Sequence, residues 1–302
     1  MLFREARTDP LVRALAAKKE AGERGTNRAR QLASGDGWRV MDVICTAGPH
    51  DPSFEERYAW ESISIVMSGT FQYRTERGRS FMSAGTILLG NSGKPFECSH
   101  DHGEGDRCLS FQFDPTFFER LARDAGASTT TFAYGAIPPI RKLAAPATRA
   151  LLAMHTGAAF EEIAVELASE VIAIAGRDRP GRFSASQANP ARIAGVLQQM
   201  ESRSAEPHGL AGLAEIAGLS PYHFLRTFKR VTGVTPHQWL LRSRLRDAAY
   251  RLVITRDSVT DVALDCGFDD LSNFIRSFKS EFGLSPRSYR RTMASPTVVT
   301  RS

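Results

Sequence analysis

The sequence predicts a multidomain β + all-α protein. A small antiparallel β-barrel with a helical extension comes first, and a bundle of two helix–turn–helix units joined by a linker helix follows. Three observations carry this. The chain has 302 residues, for which two domains are the natural division. Its first half holds short alternating segments between Gly-bearing turns. Its C-terminal third contains one pattern twice: Phe224, Arg226, Phe228-Lys229, Gly233 and Pro236 are answered by Phe274, Arg276, Phe278-Lys279, Gly283 and Pro286 at an offset of 50 residues.

Residues 1–37 form a polar, charged N-terminal segment. The barrel domain is placed at 38–176. Trp38–Cys45, Ser62–Met67, Thr70–Thr75, Gly85–Gly90 and Arg107–Phe113 alternate or are strand-rich, and Gly69 and Gly78 mark turns. Pro115 opens a short helix after the last strand, and two helical stretches lie within 141–176. In the second of these, Ile163, Leu167, Val171 and Ile174 form one stripe, suited either to packing on the barrel or to pairing with a second copy. Residues 177–189 read as a polar Gly/Pro/Ser-bearing linker, and Asn189-Pro190 suits a helix cap followed by a first-turn proline.

Each copy of the repeat, within 190–292, reads as helix, tight turn, helix. Leu213, Ile216 and Ala217 precede Gly218, and Val262, Ala263 and Cys266 precede Gly267. Glycine closes a helix in the left-handed conformation at little cost. Ser220 is placed to cap the second helix of the first copy, and Asp269 and Asp270 stand where they can cap that of the second. Phe224, Phe228 and Val231, then Phe274, Phe278 and Phe282, form the buried stripes. Tyr222, His223, Arg226, Lys229 and Arg230 lie on the opposite face in one copy, and Ser272, Asn273, Arg276 and Lys279 in the other. Arg matches guanine bidentately in the major groove, Asn matches adenine, and Lys neutralises phosphate. An exposed Arg on one helix is ordinarily a solvated face; the same Arg before the same Phe-Lys pair in both copies points to a shared role. Between the copies, Pro236 to about Ile254 predicts a rod whose apolar stripe includes Trp239, Leu245, Ala248 and Leu252. Eighteen or so residues span about 27 Å, near the roughly 34 Å of one DNA turn. Arg242, Arg244, Arg246 and Arg251 on this rod either touch phosphates or keep it hydrated. Residues 293–302 read as a tail.

Residues 190–292 resemble the DNA-binding domain of the AraC/XylS family of transcription regulators. Gly267-Phe268, Phe274, Phe278-Lys279, Gly283, Ser285-Pro286 and Tyr289-Arg290 stand in that family's order and spacing, and the resemblance is strong over about a third of the chain. It implies double-stranded promoter or operator DNA as partner, with both recognition helices in successive major grooves. The implied base-facing residues are Tyr222, His223 and Arg226 in the first unit and Ser272, Asn273 and Arg276 in the second. Arg230 and Lys279 complete the DNA-binding set. The chain departs from the family at Leu225 and Ile275, where apolar residues either meet a thymine methyl or pack. The first half resembles the cupin-like sensor domain that precedes the DNA-binding half in many members.

Charge agrees with this plan. Over 190–302, Lys and Arg total 16 and Asp and Glu total 10, so that region carries the whole chain's excess of +6. Cys45, Cys98, Cys108 and Cys266 are scattered, and neither a signal peptide nor an apolar run long enough for a membrane span is read. A cytoplasmic location with reduced thiols is expected. The segment from Glu97 to Cys108 is the one stretch of the first half that suggests chemistry. It reads either as a polar loop at the barrel mouth or as a metal site of Cys98, His100, His102 and Cys108, a zinc-like donor set and the only cofactor anticipated. The expected function is a non-enzymatic, sequence-specific transcriptional regulator, activator or repressor, controlled by a small-molecule effector of unidentified binding residues. RNA polymerase and a second copy are the protein partners anticipated. The alternatives are a metal-dependent cupin enzyme fused to a DNA-binding module, and a DNA-binding protein whose barrel only dimerises.

Overall fold

A computed structural model describes residues 10–127, 129–156, 160–175 and 190–294. Helix α1 (Pro10–Ala21) leads into strands β1 (Asn27–Gly35), β2 (Trp38–Cys45), β3 (Phe54–Arg57), β4 (Glu61–Gly69), β5 (Phe71–Thr75), β6 (Gly78–Met82), β7 (Ile87–Gly90), β8 (Pro95–Ser99) and β9 (Asp106–Phe113). Helix α2 (Pro115–Asp124) and strand β10 (Ala136–Ile137) follow, then α3 (Ala144–Thr156) and α4 (Phe160–Ala175). The C-terminal half comprises α5 (Ala191–Ser202), α6 (Leu210–Ile216), α7 (Pro221–Thr232), α8 (Pro236–Ile254), α9 (Val259–Asp265), α10 (Leu271–Phe282) and α11 (Pro286–Ala294).

The strands form two antiparallel sheets, ordered β1-β2-β9-β4-β7-β10 and β3-β8-β5-β6. The larger sheet buries both faces, and side-chain alternation divides them. Trp38, Val40, Ile63, Ile65, Leu109, Phe111 and Phe113 face α2 and α4 in the main core. Val66, Leu88 and Cys108 instead meet Phe71, Tyr73, Met82 and Cys98 of the smaller sheet. The stripe Ile163, Leu167, Val171 and Ile174 of α4 is buried in the first of these cores, so it packs on the barrel and does not supply a dimer face.

The sheet begins at Asn27, eleven residues before the expected domain start, because β1 pairs along β2 from Asn27↔Cys45 to Gly35↔Trp38. Its sequence, NRARQLASG, is mostly exposed and shows no apolar alternation; pairing with β2 sets its conformation. Asp114 caps α2 by accepting from the amides of Thr116 and Phe117. The linker 177–189, with Asn189, lies outside the described residues, as do 295–302; α5 starts at Ala191 with Pro190 at its cap.

Two further cores hold the helical half. Phe224, Phe228 and Trp239 pack with α5 and α6, while Phe274, Phe278, Phe282 and Tyr289 pack with Leu245, Ala248 and Leu252 of α8. One helix therefore runs through both units. Ala84 of the barrel joins the first core and Leu152 of α3 joins the second.

Candidate functional site

The two repeat units present equivalent faces for different local reasons. Helix α7 opens with Ser220 at its cap and Pro221 at its first position, but the Ser220 hydroxyl makes no capping bond. Helix α10 is capped by Asp270, whose carboxylate accepts from the amides of Ser272 and Asn273. The Asp270 charge thus serves the N-terminus of α10, whereas Asp269 makes no capping bond there. Both helices end in left-handed glycines, Gly233 and Gly283. With the phenylalanine stripes buried, Tyr222, His223, Arg226 and Arg230 on α7 are exposed, as are Ser272, Asn273, Arg276 and Lys279 on α10. The structure therefore places every anticipated DNA-facing residue on a solvent-facing surface.

Tyr222 is 63% exposed and lies one turn from Arg226. The guanidinium sits 5.6 Å from its ring centroid, and Nη1 donates to the phenol oxygen at 3.3 Å. This restrains a long side chain in an outward position before any partner arrives. Leu225 and Ile275 are 36% and 39% exposed, so neither is a packing residue of the cores. Each is available to an apolar group such as a thymine methyl.

The arginines of α8 are structural. Arg244 donates to the carbonyls of Ser204, Gly267 and Glu206. Arg251 pairs with Asp257 and Asp265. Gly267 has φ +84°, and a Cβ there would fall 2.4 Å from the Ala205 carbonyl oxygen, so the second unit's turn is pressed against the 203–206 segment that Arg244 gathers. Arg242 donates to the Pro139 carbonyl at 2.7 Å and pairs with Glu281. Arg246 lies against the Ser83–Gly85 turn, and burial lowers its pKa to about 10.

The seam between barrel and helical half touches both units. Trp239 donates to Ser83 Oγ at 3.4 Å on the first side. On the second, Arg141 donates to Ser280 Oγ, and His155 meets Tyr250 edge-on at 5.0 Å.

The barrel holds a partly open cavity of about 270 Å³ between its sheets. Its polar wall comes from the strand positions that alternate with the core. Ser62, Ser64 and Ser110 are buried and bonded to one another at 2.9–3.2 Å. Arg39 donates to Gln112 at 2.7 Å and covers the Trp60 ring at 4.5 Å. Phe71, Leu88 and Phe96 supply apolar surface. The sequence reading missed these residues. The Ser62-Ile-Ser-Ile65 alternation was the available signal, although it equally describes a strand with one solvated face.

Of the anticipated metal-binding residues, His102 parts from the other three. His102 lies in an exposed turn, since the chain leaves β8 after Ser99 and reaches β9 only at Asp106. Cys98, His100 and Cys108 are buried. His100 faces Asp106, with Nε2 2.7 Å from Oδ1, and Cys108 Sγ donates to Oδ2 of Asp106 at 3.4 Å. Cys45, which stands opposite Asp106 in the β2–β9 register, joins this group. Burial pushes the Cys45 thiol up to about 12 and raises those of Cys98 and Cys108 well above the usual range.

Comparison with known proteins finds a match in each half of the chain. Residues 44–172 match the family model described as the AraC-like ligand binding domain, and residues 213–292 match that of a helix-turn-helix domain. The HTH-type transcriptional activator RhaS of Enterobacter sp. (strain 638) is 38% identical over 103 residues, covering 34% of this chain and 37% of its own length. RhaS of Yersinia pestis (strain Pestoides F) is 32% identical over 139 residues, 46% of this chain and 47% of its own length. The chain thus spans between a third and a half of the length of these relatives. The solved DNA-binding domain of AdpA, a global transcriptional factor in complex with a target DNA, is 32% identical, with a TM-score of 0.33 over 33% of this chain and 91% of that one.

Proposed function

We propose that the chain is an AraC-type regulator, a sequence-specific DNA-binding transcriptional regulator controlled by a small-molecule effector of the barrel. The observation that carries this reading is the pair of exposed, polar, Arg-bearing helix faces on α7 and α10, mounted on one continuous α8. At 1.5 Å per residue the 19 residues of α8 span about 28 Å, a length suited to placing two readers in successive major grooves. One chain then reads two unlike segments, with Tyr222, His223 and Arg226 at one and Ser272, Asn273 and Arg276 at the other. Arg230 and Lys279 serve phosphates.

The barrel cavity suits a small polar molecule. Arg39 and the serine wall favour an anionic or hydrogen-bond-accepting group, and Phe71, Leu88 and Phe96 favour an apolar portion. Occupancy is coupled to DNA through the seam, since the barrel touches both helix–turn–helix units; an effector acts only as far as it binds the two seam arrangements differently. RNA polymerase and a second copy of the chain are the proposed protein partners, the dimer face being elsewhere than the buried α4 stripe. The cytoplasm is the proposed location; among the described residues no helix is long and apolar enough to cross a membrane.

Selection of preferred sites from random duplex DNA with the purified full-length protein tests the proposal. The expected result is a bipartite motif whose halves differ in sequence and lie about one helical turn apart. Enrichment of no motif, or a footprint confined to one half-site, counts against it.

A further inference from the structure

Five groups able to donate to a metal line or border the barrel cavity, and they come from both sheets. Cys45 of β2 and Asp106 of β9 are register partners, and Cys108 follows Asp106 on the same face by strand alternation. His100 reaches in from one residue beyond β8, on the facing sheet, and Cys98 precedes it on that strand. The ligating atoms of Cys45, His100 and Asp106 all lie within 4.8 Å of one another, and all three residues are buried. Tetrahedral zinc with bonds of about 2.0–2.3 Å holds its donors some 3.3–3.8 Å apart, so small side-chain rotations close this set around an ion.

An apolar core does not account for the cluster. Asp106 is 5% exposed, and a buried carboxylate is costly unless paired. Among the described residues its side chain is met by an imidazole and a thiol. The His100 ring is held against Phe71, with centroids 5.7 Å apart, and its buried Nδ1 has no hydrogen-bond partner among the described residues. A nucleophilic Cys–His–Asp arrangement fits less well, because the imidazole must bond the thiol through one nitrogen and the carboxylate through the other, and among the described residues His100 meets Asp106 through Nε2 while Nδ1 has no hydrogen-bond partner.

We propose that Cys45, His100 and Asp106, with Cys108 as the fourth donor, form a binding site for a thiolate-preferring divalent cation of the zinc class inside the barrel. On binding, sulfur–metal bonds replace the S–H bonds of Cys45 and Cys108, and the two protons pass to solvent. The cation offsets the negative charge of the thiolates and of Asp106 that the buried site otherwise disfavours. It links the two sheets beside the barrel cavity. His102, in its exposed turn, takes no part. The site does not depend on the DNA-binding reading, and its failure would leave that reading untouched.

The test uses the reduced full-length protein, stripped with a chelator and titrated with cobalt(II) alone, then with zinc chloride. The expected result is one equivalent of cobalt with a thiolate-to-metal charge-transfer band and the ligand-field bands of a four-coordinate site, bleached when zinc displaces it. Cys45→Ser and Asp106→Asn should each weaken binding more than about tenfold, and His102→Gln should leave it unchanged. The wild-type spectrum needs no variant to fold. Absence of the charge-transfer band in folded wild type overturns the site, as does a titration that His102→Gln abolishes and Cys45→Ser does not.

Discussion

Replacing Arg244 by Met keeps the aliphatic stem and removes three hydrogen bonds, to the carbonyls of Ser204 at 2.7 Å, Gly267 at 2.7 Å and Glu206 at 2.8 Å. A bond from a charged donor contributes about 1.5–3 kcal/mol, and nearer 1 kcal/mol where water can replace it. Glu206 is exposed and Gly267 half-buried, so water can take over at two carbonyls, whereas Ser204 is buried. The loss comes to about 3.5–5 kcal/mol, or roughly 10–15 °C in Tm for a cooperative unit of this size. The assay is urea denaturation followed by circular dichroism, paired with DNA binding by fluorescence anisotropy over a range of salt concentrations. Arg244→Met should be destabilised while keeping the wild-type slope of log Kd against log salt wherever it remains folded. Arg230→Ala, on the exposed face of α7, should do the reverse, retaining stability and losing about one unit of slope. Wild-type stability of Arg244→Met together with a shallower slope would make Arg244 a phosphate contact and refute the argument.

Arg226→Ala and Arg276→Ala should each weaken specific binding by about 1–3 kcal/mol and relax preference at one base position, which site selection on each variant would reveal; unchanged affinity and preference in both rejects their role as readers. Leu225→Asn and Ile275→Asn should lower discrimination for thymine at the base each faces, with no loss of stability because both side chains are exposed; a large drop in the urea midpoint would mean that they pack after all. The buried Glu61 carboxyl is pushed up to about 7 by desolvation, partly countered by the Ser92 backbone. Its folded pKa lies above the unfolded value near 4.5, so its contribution is intact below about pH 4.5 and is lost as pH rises to about 7, by up to about 3 kcal/mol. Glu61→Gln should therefore gain on wild type across that window in pH-dependent denaturation, and parallel stability curves would sink the assignment.

The helical half was legible because its rules are local. A left-handed glycine, a first-turn proline and a phenylalanine every fourth residue fall within about twenty positions, and each predicts its own neighbourhood. The barrel was legible only where strands alternate clearly, as in β2, β4 and β9. Strands β1, β3 and β6 carry charge or polar residues on both faces, and they are strands because partners across the sheet require it. The cavity stayed hidden for a related reason, since Ser62 and Ser64 look the same in sequence whether the polar face meets bulk water or a cavity between the sheets. The Cys45–Asp106 pairing joins residues far apart in sequence through a register that no local pattern announces. The α8 arginines show the limit from the other side. Composition counts them as basic surface, and only the fold reveals carbonyls and carboxylates as their targets.

Under the proposed reading, α8 also limits how control reaches DNA. Trp239 belongs to the core of the first unit and Leu245, Ala248 and Leu252 to that of the second, so α8 is a shared wall of both. Bending it would break two packed cores, and interiors packed at crystal-like density resist continuous deformation. The seam is different in kind. It mixes polar contacts, such as Trp239 to Ser83, Arg242 to Pro139 and Arg141 to Ser280, with apolar packing of Phe81 and Ala84 on the first core and of Ala144, Ala145 and Leu152 on the second. Interfaces between domains of one chain are ordinarily smaller and more readily exchanged than domain cores. The two readers should therefore keep a fixed spacing and move as one body, and an effector in the barrel would regulate where that body sits and how freely it moves, without altering the distance between its helices.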